Sequence, residues 1–238
     1  MKTLIISDLH SNIHALEAIW EIEKDSDQII CAGDLVDVGP YPKEIISWVQ
    51  DHNVICVKGN HDSYIIDFHD SNQDMTLVNN KNEFWLQQNL DQLDQNDIRF
   101  LKELPETAEI EIDDCLYGIT HAYQGYNVIL GSHAFNKFLL DKFSNSAIER
   151  IIFGHTHRQA ICHVSKNQLW VNPGSTSYRS YLEPEDKSTG SEYMTLIDGK
   201  FEFKKLEYNK SILNAKINNS NDALNQETIE IALARFPA

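Results

Sequence analysis

Short apolar runs alternate with helical patterns through the first sixty residues. Residues 3–7 (TLIIS) form a run suited to a strand buried on both faces. Ile13, Leu16, Ile19 and Trp20 then fall on one helical face, with Glu17, Glu21 and Lys24 opposite. Residues 28–32 (QIICA) predict a second strand. Pro42 opens a helix at a position where a missing N–H costs nothing, and Ile45, Ile46, Trp48 and Val49 form its apolar face. Residues 54–57 (VICV) predict a third strand. This alternation implies parallel pairing with right-handed crossovers.

Residues 63–105 break the rhythm. They are polar, rich in Asn, Gln and Asp, with helical patterns around Phe84-Trp85-Leu86 and around Ile98, Leu101 and Leu104. Asp94 followed by Asp97 marks a helix start. The expectation is an inserted helical cap lining one side of a site. After Pro105, Ala108, Ile110 and Ile112 alternate, Asp113-Asp114 supplies a turn, and residues 115–120 return. A helix around 135–143, a strand at 151–153 and strands at 168–171 and 193–197 follow. Asp198-Gly199 closes a hairpin onto residues 201–206. The chain thus reads as one domain over 1–208, then a polar linker at 209–221 and a helix over 223–236 that packs on the same domain. No internal repeat is present.

Composition narrows the partners. The chain has 238 residues, 42% hydrophobic and 24% charged, enough for a sizeable folded core. A net charge of −16, with arginine only at 99, 150, 158, 179 and 235, argues against gripping long nucleic acid. No segment approaches the ~18 apolar residues of a membrane span, and the opening MKTLIISDLH turns polar too soon for a signal-peptide core. Cys31, Cys56, Cys115 and Cys162 make no CxxC pair and read as small core residues of a reducing compartment. The expected location is the cytoplasm.

The chemistry-bearing residues fall at predicted strand ends. Asp8 and His10 follow the first strand, and Gly33-Asp34 follows the second, with Asp37 three residues on. Gly59-Asn60-His61-Asp62 follows the third, His121 ends the 115–120 strand, and Gly154-His155-Thr156-His157 ends the next. Ligands gather outside the carboxyl ends of strands in layered sheets, so the five loops can converge. Two Asp, one Asn and four His offer hard oxygen and borderline nitrogen donors without a thiolate. Such a set suits Mn, Fe, Zn, Co or Ni rather than Mg or Ca alone. Seven ligands exceed one tetrahedral ion and match two ions sharing a carboxylate.

The ordered series DxH, GDxxD, GNHD, a lone His and GHxH over residues 8–157 resembles the calcineurin-like metallophosphoesterase superfamily, and Asn172-Pro173-Gly174-Ser175 resembles its small bacterial branch. That resemblance implies a four-layer α/β/β/α sandwich. It implies that Asp8, His10 and His157 hold one metal, that Asn60, His121 and His155 hold the other, and that Asp34 bridges. Mn and Fe are the expected ions. Such a pair acidifies a shared water and offsets phosphoryl charge. His61, beside Asn60 but not needed as a ligand, is the expected general acid, oriented by Asp37.

Family members acting on phosphoproteins or splitting dinucleoside tetraphosphates symmetrically read GDxxDRG, the arginine gripping phosphate. Here Val38 replaces it in GDLVDVG. The resemblance therefore leans towards a phosphodiesterase or small-nucleotide hydrolase, similar to enzymes that cleave diadenosine tetraphosphate asymmetrically. Arg179 and then Arg158 are the candidate distal-phosphate contacts, and Tyr178, Tyr123 or Tyr126 the candidates to stack on a base. The alternatives are a phosphatase for small monoesters, a non-catalytic scaffold on the same fold, and, least favoured by charge, a DNA nuclease. His14, His52, His69, His133 and His163 match no motif and read as ordinary surface or core residues.

Overall fold

The computed structural model describes residues 1–71, 83–123, 128–145, 147–178, 190–219 and 233–234. Strands β1 (Lys2–Ile6), β2 (Gln28–Cys31) and β3 (Ile55–Cys56) alternate with helices α1 (Ile13–Glu23) and α2 (Pro42–Asp51). Helices α3 (Asn60–Ser71), α4 (Glu83–Leu90) and α5 (Gln95–Glu103) follow. Then come β4 (Thr107–Ile112), β5 (Cys115–Thr120), α6 (Ser132–Lys142), β6 (Arg150–Ile152), β7 (Gln159–His163) and β8 (Leu169–Pro173). The hairpin β9 (Ser191–Ile197) and β10 (Lys200–Leu206) precedes α7 (Ser211–Asn219).

Two five-stranded sheets result, ordered β10-β9-β1-β2-β3 and β4-β5-β6-β8-β7. Within each central strand the side chains divide by parity, as the two-residue period of a strand requires. Leu4, Ile6, Ile29 and Cys31 face α1, α2, α3 and α5, in one core with Leu16, Ile19, Ile45, Val49 and Leu101. Ile5, Ile30 and Met194 face the other way and meet Ile119, Ile152 and Val171 of the second sheet. Ile151 and Phe153 look outward to Phe135, Phe138 and Leu139 of α6. Helices, sheet, sheet and helix are thus stacked in the predicted four layers.

β1, β2 and β3 pair in parallel, as do β5, β6 and β8. The β4–β5 and β9–β10 turns each place two consecutive residues in the left-handed region: Asp113 and Asp114 at φ 49° and 58°, Asp198 and Gly199 at 48° and 75°. That is the twist a two-residue hairpin loop needs.

Helices α3, α4 and α5 form the helical segment expected between β3 and β4, and Ile65 of α3 and Ile98 and Leu101 of α5 root it in the core beneath the first sheet. Part of the expected linker is helix α7, because Leu213 and Ile217, four apart, are buried against Trp85 of α4. Strand β7 was not foreseen; its register pairs Gln159 with Pro173 and His163 with Leu169. The expected helix over 223–236 lies almost wholly outside the described residues.

Candidate metal centre

Every candidate ligand sits just past the carboxyl end of a strand, and the two sheets bring these ends together. Backbone bonds lock neighbouring loops within each sheet, and bonds to Asp8 tie the two sheets together. Asp8 N–H donates to Gly33 O (2.9 Å), His10 N–H to Asp34 O (3.1 Å) and Gly154 N–H to His121 O (3.0 Å). His155 N–H donates to Asp8 Oδ1 at 3.1 Å. The Asn-Pro-Gly-Ser turn is part of this lacing: Ser175 Oγ donates to Asp8 O at 3.1 Å, and Ser177 N–H donates to the same oxygen at 3.2 Å.

The glycines of GNHD and GHTH are required by packing. A Cβ at Gly59 would lie 2.0 Å from Asp34 Oδ1, and one at Gly154 would lie 2.0 Å from Ser7 Oγ. Five of the seven candidate ligands hold left-handed backbone: Asp8 (φ 54°), His10 (43°), Asp34 (56°), His155 (70°) and His157 (55°). Such conformations cost about 1–3 kcal/mol each and persist where the surroundings over-determine them. The strain is concentrated at the site.

The donor atoms converge in three groups: Asp8, His10 and His157; Asp34, His121 and His155; and His10, Asp34 and His61. In each group the ligand atoms lie within 4.8 Å of one another. His157 Nε2 is 3.3 Å from Asp8 Oδ1 and 3.1 Å from His10 Nε2. His121 Nε2 is 3.1 Å from Asp34 Oδ2 and 3.0 Å from Asn60 Oδ1, which lies 2.9 Å from His155 Nδ1.

Ring tautomers test whether these residues fit a cation. His121 Nδ1 lies 2.7 Å from Ala32 O, and His157 Nδ1 lies 2.9 Å from Tyr178 O. A carbonyl accepts only, so both rings carry a proton on Nδ1 and turn Nε2 inward to a carboxylate oxygen. A cation, either a proton or a metal ion, must lie between Nε2 and that oxygen, and the all-oxygen-and-nitrogen donor set suits a transition ion.

The titration shifts carry the same message. Burial disfavours charge on His121, but Asp34 outweighs it and pushes His121 up to about 10. Burial likewise acts against the Asp34 carboxylate, yet His121 and its neighbours hold it well below the usual range. Burial, and then the nearby His61, keep His10 far below ordinary imidazole, so it is a neutral donor. Burial and then His121 lower His155 in the same sense.

His61 stands beside this cluster, its ring centroid 4.7 Å from that of His10. Its Nδ1 lies 2.6 Å from Asp37 Oδ2, and its backbone N–H donates to Asp34 Oδ1 at 2.8 Å. Burial opposes a charge on His61, but the bond to Asp37 and the field of Asp34 prevail and raise its pKa. Of the substrate-side candidates, Tyr178 has its ring 4.8 Å from His157 and 5.2 Å from His10. Arg158 is exposed next to His157. Tyr123 packs edge-on against Phe138, 5.0 Å between ring centres. Arg179 and Tyr126 lie outside the described residues.

Two residues that the motif reading passed over organise the site. Asp62, fully buried, accepts from the N–H groups of Asp34 (3.1 Å), Leu35 (2.9 Å), Val36 (3.2 Å) and Gly59 (2.8 Å). It ties the loop after β2 to the loop after β3. Burial, and then Asp34, push it up to about 6 despite those donors. The other, Asn89, comes from α4. Its Oδ1 accepts from Ser11 Oγ (2.7 Å) and from Asp37 N–H (2.9 Å), and its Nδ2 donates to Gly39 O (2.9 Å).

Known proteins resemble this chain in sequence and fold. The chain is similar over its full fold to a metallophosphoesterase from Sphaerobacter thermophilus, with 22% identity, a TM-score of 0.74 and coverage of 98% of both chains. It is similar to the structure of a candidate diadenosine tetraphosphatase, with 15% identity, a TM-score of 0.54 and coverage of 86% and 93%. In sequence it is 26% identical over 193 residues to serine/threonine-protein phosphatase 2 of Escherichia coli, covering 72% of this chain and 86% of that protein. Residues 1–195 match the calcineurin-like phosphoesterase superfamily domain, and this chain belongs to that superfamily.

Proposed function

We propose that the protein hydrolyses a phosphodiester or phosphoanhydride bond of a small nucleotide, for example by asymmetrical cleavage of diadenosine tetraphosphate, using two transition-metal ions. The observation that carries this reading is the inward convergence of seven side chains, with the rings of His121 and His157 oriented by backbone carbonyls. Asp8, His10 and His157 would hold one ion, Asn60, His121 and His155 the other, with Asp34 between them. When bound, the ions would acidify a water and neutralise the non-bridging phosphoryl oxygens. Mn and Fe are the favoured pair, with Zn, Co and Ni compatible with the donors.

The chain supplies the rest. His61 holds a proton on Nδ1 against Asp37 Oδ2, which leaves Nε2 to protonate the departing oxygen. Asp37 fixes the tautomer and raises the basicity of the ring. Tyr178 would form a wall beside His10 and His157 against which a base could rest. Arg158 and Arg179 are the cations on offer to a distal phosphate. A net charge of −16 makes long nucleic acid a poor partner, whereas a small anion needs positive charge only locally, at the loaded centre and the arginines beside it.

A second reading is a phosphomonoesterase on small metabolites or phosphopeptides. The likeness to serine/threonine-protein phosphatase 2 favours it. Against it stands Val38, which is buried at 3% exposure and offers no cation where that type of enzyme carries its arginine. The test is a panel of diadenosine tetraphosphate, bis(4-nitrophenyl) phosphate, 4-nitrophenyl phosphate and a phosphopeptide, assayed with Mn²⁺ after chelation. Turnover of the first two is expected to exceed that of the monoesters and to vanish in Asp34→Asn. The reverse order would favour the second reading, and no turnover at all would favour a scaffold.

A further inference from the structure

The turn that presents Asp37 is strained and needs an external hold. Asp37 and Val38 have φ of 70° and 67°, and a β-branched residue such as Val38 rarely adopts that region. Local bonds explain part of it: Asp37 Oδ1 accepts from Val38 N–H at 2.7 Å, and Gly39 N–H donates to Asp37 O at 2.8 Å. These fold the turn on itself but do not fix it relative to His61.

Asn89 does fix it. Its bonds to Asp37 N–H and Gly39 O bracket the two strained residues, and the same oxygen takes Ser11 Oγ from the loop that carries His10. The amide is fully buried, so no water can replace these bonds without a cavity. The helix that bears it is anchored one turn earlier by Trp85, which packs with Leu213 and Ile217 of α7. One face of α4 therefore runs from the C-terminal helix to the turn behind His61.

We propose that Asn89 is a positioning residue for the Asp37–His61 pair: α4, from the segment inserted between β3 and β4, holds the Asp37 turn so that its carboxylate reaches His61 Nδ1. This rests on the function proposed above, since it matters only if His61 delivers a proton. It predicts a selective defect. A leaving group that departs unprotonated does not need the pair, whereas a sugar alkoxide does.

The test compares wild type, Asn89→Ala, Asp37→Ala and the double variant, all loaded with Mn²⁺. One substrate is bis(4-nitrophenyl) phosphate and the other a dinucleotide whose leaving group is a ribose 5′-alkoxide. Asn89→Ala is expected to lower kcat on the dinucleotide by ~10–100-fold, as loss of an outer hydrogen-bonding partner does elsewhere. KM, metal content and the rate on the nitrophenyl ester should stay within about threefold of wild type. In the Asp37→Ala background the same change should add little, because the two act through one group. Asn89→Asp keeps the oxygen shared by Ser11 and Asp37 but loses the donor to Gly39 O, and should show the same selective loss on the dinucleotide even if Asn89→Ala is poorly folded.

Equal losses on both esters, metal loss in Asn89→Ala, additive losses in the double variant, or an unchanged ratio in Asn89→Asp would each overturn the proposal. Wild-type protein inactive on both esters and on diadenosine tetraphosphate would instead overturn the underlying function.

Discussion

Replacing Gly59 by Ala probes the centre through one methyl group. The added Cβ would lie 2.0 Å from Asp34 Oδ1 and 2.3 Å from Asp34 N, whereas ordinary contacts begin near 3.4 Å. The two loops must therefore part by about 1.4 Å, the difference between those distances. Neither side can yield freely, because Asp62 Oδ2 accepts from both Gly59 N–H (2.8 Å) and Asp34 N–H (3.1 Å). Overpacking of this kind costs about 1–3 kcal/mol. For a chain of this size that lowers Tm by about 2–12 °C. The functional loss should be larger than the stability loss suggests, since a misplacement of ~1 Å can cost ~10²-fold in rate. Metal content, thermal unfolding and kcat on a diester would be measured together. Gly199→Ala is the control: its left-handed φ of 75° is strained for alanine, but nothing lies within 4 Å. It should cost about 1–2 kcal/mol and leave the rate unchanged. If Gly59→Ala keeps wild-type Tm, metals and rate, the placement of Asp34 against that backbone is wrong.

Other consequences follow from the same geometry. His61→Ala should lower the rate on an alkoxide ester by ~10²–10⁴-fold with metal content intact; loss of the metals would make His61 a ligand instead. Chelation should destabilise the protein by about 5 kcal/mol where both ions are near 100 times their Kd, a fall in Tm of about 10–20 °C seen by calorimetry; an unchanged Tm would mean no resident ion. Away from the site, buried Glu23 binds Lys2 Nζ (2.8 Å), Lys204 Nζ (3.0 Å) and Tyr193 Oη (2.9 Å). Burial works against its charge, but the two lysines and Tyr193 hold its pKa below the ordinary carboxylate value. Its stabilisation is thus full above the unfolded pKa and is lost as pH falls through the folded one. Glu23→Gln should cost about 3 kcal/mol at neutral pH and remove that part of the acid dependence, measured by urea unfolding between pH 3 and 7. An unaltered acid limb would refute it.

The metal-centre loops were legible because two strong signals coincide there. A strand buried on both faces leaves an unbroken apolar run, and the polar residue that ends it is conspicuous. Asp8, Asp34, Asn60, His121 and His155 all announce themselves in this way. What lay hidden lacked such contrast. Asn89 sits in a stretch dense in Asn, Gln and Asp, where nothing in composition marks this amide as buried. β7 is short and half-polar, with Ile161 exposed at its middle, so no clean alternation appears. α7 was masked by its asparagines, although the four-residue spacing of Leu213 and Ile217 carried the helical period. Asp62 could be seen in GNHD, but not that its carboxylate gathers four N–H groups from two loops, since that depends on where β2 and β3 end side by side.

The most direct measurement is a crystal structure of Mn²⁺- or Fe-loaded protein with anomalous scattering, supported by elemental analysis. The account predicts two ions per chain, one against Asp8, His10 and His157, the other against Asn60, His121 and His155, with Asp34 reaching both. A single ion, no ion, or ions bound elsewhere while those side chains stay apart would contradict it.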